Sequence, residues 1–281
     1  MAFLDRIDEC RRFDPARYRP FSVAGVAVGL VRHDFARRLK DFPGVFAVAD
    51  SGVHLSARLA DGPARTAAVA EVLSALRAKG EIPGWRDEPY PVTTGFAVPP
   101  LLTMERAAVP LFGVMGFGVH VNGVVGGGES LRMWIGRRSR TKPTGPGKLD
   151  QVVAGGQPAG VSLADNLVKE CAEEAAIPAD LARRAVPVGA VSYCTERPEG
   201  LRRDVLFNYD LAMPEDFTPR NTDGEVEAFH LWPIAQVVET ARDSDDFKFN
   251  CALVAIDFLI RRGLIAPDHP DYIALRRGLH G

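Results

Sequence analysis

Apolar and polar positions change their period near residue 110, and the two stretches predict different architectures. Before that point, a helix is predicted near Phe3–Phe13, followed by an apolar run over Val23–Val31. A second helix spans Asp34–Phe42, with Phe35, Leu39 and Phe42 on one side and Arg37, Arg38 and Lys40 on the other. Val45–Ala49 and Val53–Leu59 flank Asp50-Ser51-Gly52, a short hairpin signal. Pro63–Lys79 places Val69, Val72, Leu73 and Leu76 at three-to-four spacing and stops at Gly80, so it reads as an amphipathic helix. Ile82–Pro100 is rich in turn residues and forms the way out of this unit.

Beyond it, Phe112–Val125 and Ser130–Arg137 alternate around Gly126-Gly127-Gly128, which predicts two strands and a glycine turn. Thr141–Gly160 is a loop dense in Gly and Pro. A helix then runs from Leu163 to Ala176, opened by the capping pair Ser162 and Asp165 and stopped before Pro178. Strands are expected at Ala190–Cys194, Val205–Leu211 and Glu225–Leu231, and helices at Pro233–Ala241 and Phe247–Arg262. The pattern divides the chain into a smaller α+β domain, residues 1–110, and an α/β domain, residues 111–281.

Composition adds mainly exclusions. Of 281 residues, 46% are hydrophobic and 25% charged, which suits an ordinary globular protein. A net charge of −2 supplies no global field for nucleic acid or an anionic membrane, so neither is expected as a partner. No apolar stretch is long and uninterrupted enough for a membrane span, and the charged N-terminus lacks a signal-peptide core. Cys10, Cys171, Cys194 and Cys251 are widely spaced and read as free thiols, which points to a reducing, cytoplasmic setting.

The chemistry concentrates between residues 154 and 177. On a wheel of 3.6 residues per turn, Leu163, Leu167, Cys171 and Ala175 form an apolar stripe. Glu170, Glu173 and Glu174 gather on the adjoining arc, with Glu174 at the edge of the buried face. Like charges at these spacings repel by a few tenths of a kcal/mol per pair, so a hard cation is the natural compensation. Mg²⁺ suits a few carboxylates plus substrate phosphates, with Mn²⁺ as a substitute. The preceding Gly155, Gly156 and Gly160 allow close backbone approach to a ligand.

This stretch resembles the Nudix box, G-x5-E-x7-R-E-U-x-E-E-x-G-U with U aliphatic. Gly155, Glu170, Glu173 and Glu174 match, and Cys171 and Ile177 occupy the U positions. Val161, Lys169 and Ala176 depart from it, where the box has Glu, Arg and Gly. Segments such as MERAAVPLFGV, MWIGRRSRTKPTGPGKLDQVVAGGQPAG and FKFNCALVAIDFLIRRG extend the resemblance over nearly the whole chain. They are similar to a Nudix subfamily that carries an N-terminal domain of uncharacterised type, in which an aliphatic residue at the Val161 position is expected.

The resemblance implies a Nudix α/β/α sandwich with a mixed sheet and Mg²⁺-dependent hydrolysis of a small-molecule diphosphate. In that subfamily the characteristic activity converts oxidised or otherwise damaged thiamine diphosphates to monophosphates. An ADP-ribose or nucleoside-diphosphate-sugar pyrophosphatase and a non-catalytic binder of phosphorylated ligands are the alternatives. It further implies Gly155, Glu170, Glu173, Glu174 and Glu225 around the metal, Glu170 as first choice of base and Glu174 as second. Arg137, Arg138, Lys142 and Lys248 are candidate phosphate contacts, at most one of the adjacent Arg137 and Arg138 facing substrate. His120 is read as structural, and a homodimer is compatible with the sequence.

Overall fold

Three apolar clusters set the layers of the chain, whose computed structural model describes residues 2–280. Helix α1 (Phe3–Glu9) leads into β1 (Tyr18–Val23) and β2 (Val26–Arg32), which pair antiparallel. Helix α2 (His33–Leu39) and the hairpin β3 (Phe46–Ala49) and β4 (Gly52–Leu55) follow, giving a sheet of order β2-β1-β4-β3. Helix α3 (Gly62–Ala78), with the Asp61 side chain capping it, buries Val69, Val72, Leu73 and Leu76 as its spacing predicts. The ribbon β5 (Pro89–Val92) and β6 (Leu102–Glu105) and the short α4 (Val109–Phe112) complete the unit. Phe112 closes its core, with ring centroids 5.0, 5.3 and 5.7 Å from Phe21, Phe35 and Phe46.

The C-terminal part is built on a mixed seven-stranded sheet. Its strands are β7 (Met115–Val125), β8 (Arg132–Arg138), β9 (Leu149–Gln151), β10 (Val153–Gly156), β11 (Val186–Arg197), β12 (Gly200–Ala212) and β13 (Val226–Pro233). The order is β11-β12-β7-β8-β13, with β10 on β7, β9 on β8, and β7 and β12 parallel. Helices α5 (Leu163–Ala175) and α6 (Ala179–Ala182) cover one face. Helices α7 (Ile234–Asp243), α8 (Phe249–Arg261) and α9 (Tyr272–Gly278) cover the other. Leu253, Ile256, Phe258 and Leu259 of α8 are wholly buried, each contributing roughly 1.5–3 kcal/mol by leaving water.

Helix α1 packs in this second core, where Phe3, Ile7 and Cys10 meet α8 and α9. The loop expected over Thr141–Gly160 contains β9 and β10, which add to the sheet by backbone pairing that a Gly-rich sequence does not announce. Among the described residues, no helix is long and apolar enough to cross a membrane.

Candidate active site

The site begins where α5 lies against β10. Ser162 caps the helix by accepting from the Asp165 amide at 3.1 Å. At the other end Ala176 takes the left-handed conformation, φ 53°, at the position where the box pattern has Gly. The stripe Leu167, Cys171 and Ala175 is buried against Val119 and Val121 of β7. That packing turns Glu170 and Glu174 toward β10. Oε2 of Glu174 accepts from the Ala154 amide at 2.8 Å. Glu170 lies so close to Gly155 that a Cβ there would collide with its carboxyl group, which is why this position takes glycine. Asn166 donates to the Gly156 carbonyl at 2.8 Å and fixes the loop ahead of the helix.

The two carboxylates are only 8% and 6% exposed. Burial pushes Glu174 up to about 8, since removing a carboxylate from water disfavours its charge. Burial also raises Glu170, partly opposed by Lys169, whose ammonium lies 3.1 Å from Oε1. Glu173 points outward, half-exposed, and pairs with Lys169 at 3.0 Å. Glu225, just before β13, forms a short ion pair with Lys142. Burial alone would raise Glu225, but the Lys142 ammonium holds it below the usual carboxylate range.

Several sequence-predicted ligands do something else. Arg138 is buried, its Nη1 2.7 Å from Oδ2 of Asp150 and its Nε and Nη2 on the carbonyls of Thr144 and Gly145. In this structure Arg138 ties the β8–β9 loop to Asp150 instead of standing free at a phosphate position. Arg137 likewise donates to the Gly147 carbonyl at 2.9 Å, on the opposite sheet face. Lys142 is engaged as the partner of Glu225. Among the described residues, a trio of ligand-type side chains within 4.8 Å occurs at His120, Asp150 and Cys251, not at the helix carboxylates. Asp150 there already accepts from Arg138, from the Cys251 thiol at 2.7 Å and from the Gln151 amide at 3.0 Å, so that cluster is a satisfied internal network.

Lys248 lies where a substrate could meet it. It lines a small cavity with His120, Ala154, Gly155 and Asn250, and burial lowers its pKa. His120 donates or accepts at Gln151, 2.8 Å away, and burial lowers its pKa, favouring the neutral ring. Sequence reasoning missed the other walls. Tyr90 and Arg106 come from the N-terminal unit, and a Cβ at Gly156 would collide with the Tyr90 hydroxyl. The Ala159 amide donates to the Pro89 carbonyl at 2.9 Å, so β5 is fastened to the box loop itself. Asp204 and Arg202 of β12 close the far side. Tyr193 stands behind them, its hydroxyl 2.5 Å from Asp204 and 3.2 Å from Nδ2 of Asn250.

Residues 2–116 match a domain of unknown function, DUF4743. The chain is 47% identical to Nudix hydrolase 24, chloroplastic, of Arabidopsis thaliana, over 99% of this chain and 77% of that protein. It is 44% identical to Nudix hydrolase 20, chloroplastic, of the same plant, with the same two coverages. The chain belongs to the Nudix hydrolase family. Among solved structures, a MutT protein from Methanosarcina mazei Go1 is 18% identical over 55% of this chain and 96% of that one, with a TM-score of 0.39. The assignment does not rest on that fold likeness. The cytoplasmic location expected from composition is overturned by these relatives, both of which are chloroplastic. Cysteine usage reports redox poise, and several compartments share it.

As a Nudix hydrolase the protein cleaves phosphoric anhydrides in small diphosphate substrates. Its site fits a hard divalent cation. Glu170 and Glu174 offer oxygen donors, and among the described residues Glu174 is a buried carboxylate with a single backbone amide and no paired cation. The outward turn of Glu173 is no obstacle, because Mg²⁺ takes one or two carboxylates and completes its shell with water and phosphate.

Proposed function

We propose that this Nudix hydrolase is a Mg²⁺-dependent diphosphatase that converts oxidised thiamine diphosphates to the monophosphates. The observation that carries the catalytic part is the buried Glu170–Glu174 pair set against Ala154 and Gly155. Glu170 and Glu174 would hold the cation, with Glu225 as an outer carboxylate tied to Lys142. Bound Mg²⁺ would supply charge neutralisation for the diphosphate and its leaving phosphate. Glu170 takes the proton of the attacking water, because it lies against Gly155, which lines the cavity, while Glu174 is held by the Ala154 amide. Water oxygen bonds to phosphorus, the P–O–P bridge opens, and monophosphate and inorganic phosphate leave.

The substrate assignment rests on the resemblance that runs through both parts of the chain, because the box itself addresses only phosphate and metal. The division into residues 1–110 and 111–281 is part of the same proposal, the first unit serving to close the substrate cavity through Tyr90 and Arg106. Phosphate and monophosphate release from oxidised thiamine diphosphate, intact thiamine diphosphate and ADP-ribose, with Mg²⁺, tests it. ADP-ribose as the preferred substrate would replace it with the pyrophosphatase alternative.

A further inference from the structure

Beside the carboxylates, the two units enclose a second cleft of about 210 Å³ whose charge is opposite to theirs. Its walls carry Arg86 and Arg106 from the N-terminal unit and Arg202 from β12, against a single carboxylate, Glu199. Arg106 lines both this cleft and the cavity at Gly155, so the two spaces adjoin. Thr144, on the loop that brings Lys142 to Glu225, forms another wall.

The arginines are positioned by a purpose-built piece of backbone. Glu105 is 9% exposed, and its carboxylate accepts from the amides of Arg86 at 2.8 Å, Glu88 at 3.2 Å and Ala107 at 3.2 Å. The Arg106 amide in turn donates to the Glu88 carbonyl at 2.9 Å. These bonds hold residues 86–88 beside residues 105–107 and present two guanidinium groups to one space. Arg106 pairs with Glu88 at 2.8 Å, and Arg202 pairs with Glu199 at 3.0 Å and more loosely with Asp204 at 3.7 Å. Each pair is partly exposed and so worth little, and a guanidinium has five donors, so each keeps several free. Arg86 forms no side-chain hydrogen bond or ion pair among the described residues.

We infer that Arg86, Arg106 and Arg202 form a subsite for the terminal phosphate of a mono-substituted diphosphate. This rests on the diphosphatase reading above and adds a substrate class to it. A terminal phosphate carries nearly two charges and three acceptor oxygens at neutral pH, as a phosphomonoester does, whereas each phosphate of a disubstituted diphosphate carries one. Several planar guanidinium forks favour the former. The N-terminal unit therefore selects substrates that release inorganic phosphate and disfavours disubstituted ones such as ADP-ribose.

Calorimetric titration of the full chain with inorganic phosphate, in chelator so that no metal contributes, tests the subsite without turnover. Wild type binds phosphate, and Arg86→Ala and Arg106→Ala each weaken it roughly ten- to a hundredfold, the size of a lost charge-assisted hydrogen bond. ADP-ribose binding changes less than about threefold in the same variants, since those contacts serve the terminal group. Arg86 is exposed, so Arg86→Ala keeps its fold and remains informative if Arg106→Ala does not. Absence of phosphate binding by wild type, equal binding by wild type and Arg86→Ala, or an equal loss for ADP-ribose overturns the subsite. Failure to hydrolyse oxidised thiamine diphosphate would sink the substrate assignment alone, because phosphate binding is read independently of it.

Discussion

The Ala154 amide donates to Oε2 of Glu174 at 2.8 Å, joining the last strand before the box loop to the last turn of the box helix. One backbone donor does not compensate a carboxylate this deeply buried, and the pKa near 8 records the deficit. A cation at this place would remove it.

Glu170→Gln and Glu174→Gln should each lower kcat by at least ~10²-fold with Mg²⁺ present, the scale seen when an electrostatic group is removed from a site. Both variants should melt at or slightly above the wild-type temperature, since each replaces a buried carboxyl whose charged form burial already disfavours. Glu173→Gln should cost less than about tenfold, as its carboxylate faces solvent and Lys169. Steady-state rates and thermal melts check these outcomes, and chelation should abolish wild-type turnover reversibly.

Gly155→Ala should destabilise the protein by about 1–3 kcal/mol, the usual cost of forcing a methyl group into a packed site. The displaced Glu170 carboxyl should also cost activity about 10²-fold, the scale of a 1 Å misplacement. Gly156→Ala should act on the other side, by pushing away Tyr90. Urea midpoints together with rates separate the two effects. Full activity in Gly155→Ala would contradict the close approach.

The Asp150–Arg138 pair gives a pH dependence. Burial alone would raise Asp150, but the Arg138 and Lys248 charges more than offset it and hold the carboxyl below its ordinary value. A depressed carboxylate adds stability above its unfolded pKa, about 3.9, and that stability is lost as pH falls through the folded value. Asp150→Asn should therefore flatten the acid limb of the stability curve. At neutral pH it should cost about 3–5 kcal/mol, because it leaves the Arg138 charge buried and unpaired. Denaturant titrations between acid and neutral pH measure both.

What sequence could and could not reveal follows from the range of the interactions. Helix α5 was legible because its cap, stripe and acidic arc are all local: Ser162, Leu167 and Glu170 lie within three turns. Strands β11 and β12 run well beyond the apolar cores Ala190–Cys194 and Val205–Leu211, because their polar ends are held by pairing with one another. The final helix, Tyr272–Gly278, is short and offers too little periodicity to be seen. Arg138 read as a phosphate ligand because nothing in MWIGRR shows that Asp150 meets it inside the fold. Tyr90 and Arg106 were invisible for the same reason. They reach Gly155 and Gly156 only through the docking of β5 on the box loop, where Ala159 meets Pro89 across a long stretch of chain.

The most direct test of the central claim is the ratio of kcat/KM for oxidised thiamine diphosphate to that for ADP-ribose, with Mg²⁺ and the full chain. The account predicts a ratio well above one, with monophosphate and inorganic phosphate as products. It also predicts a more modest preference over intact thiamine diphosphate, roughly 10–200-fold if a single apolar contact reads the ring. A ratio below one, or binding of the thiamine compound without phosphate release, would contradict it.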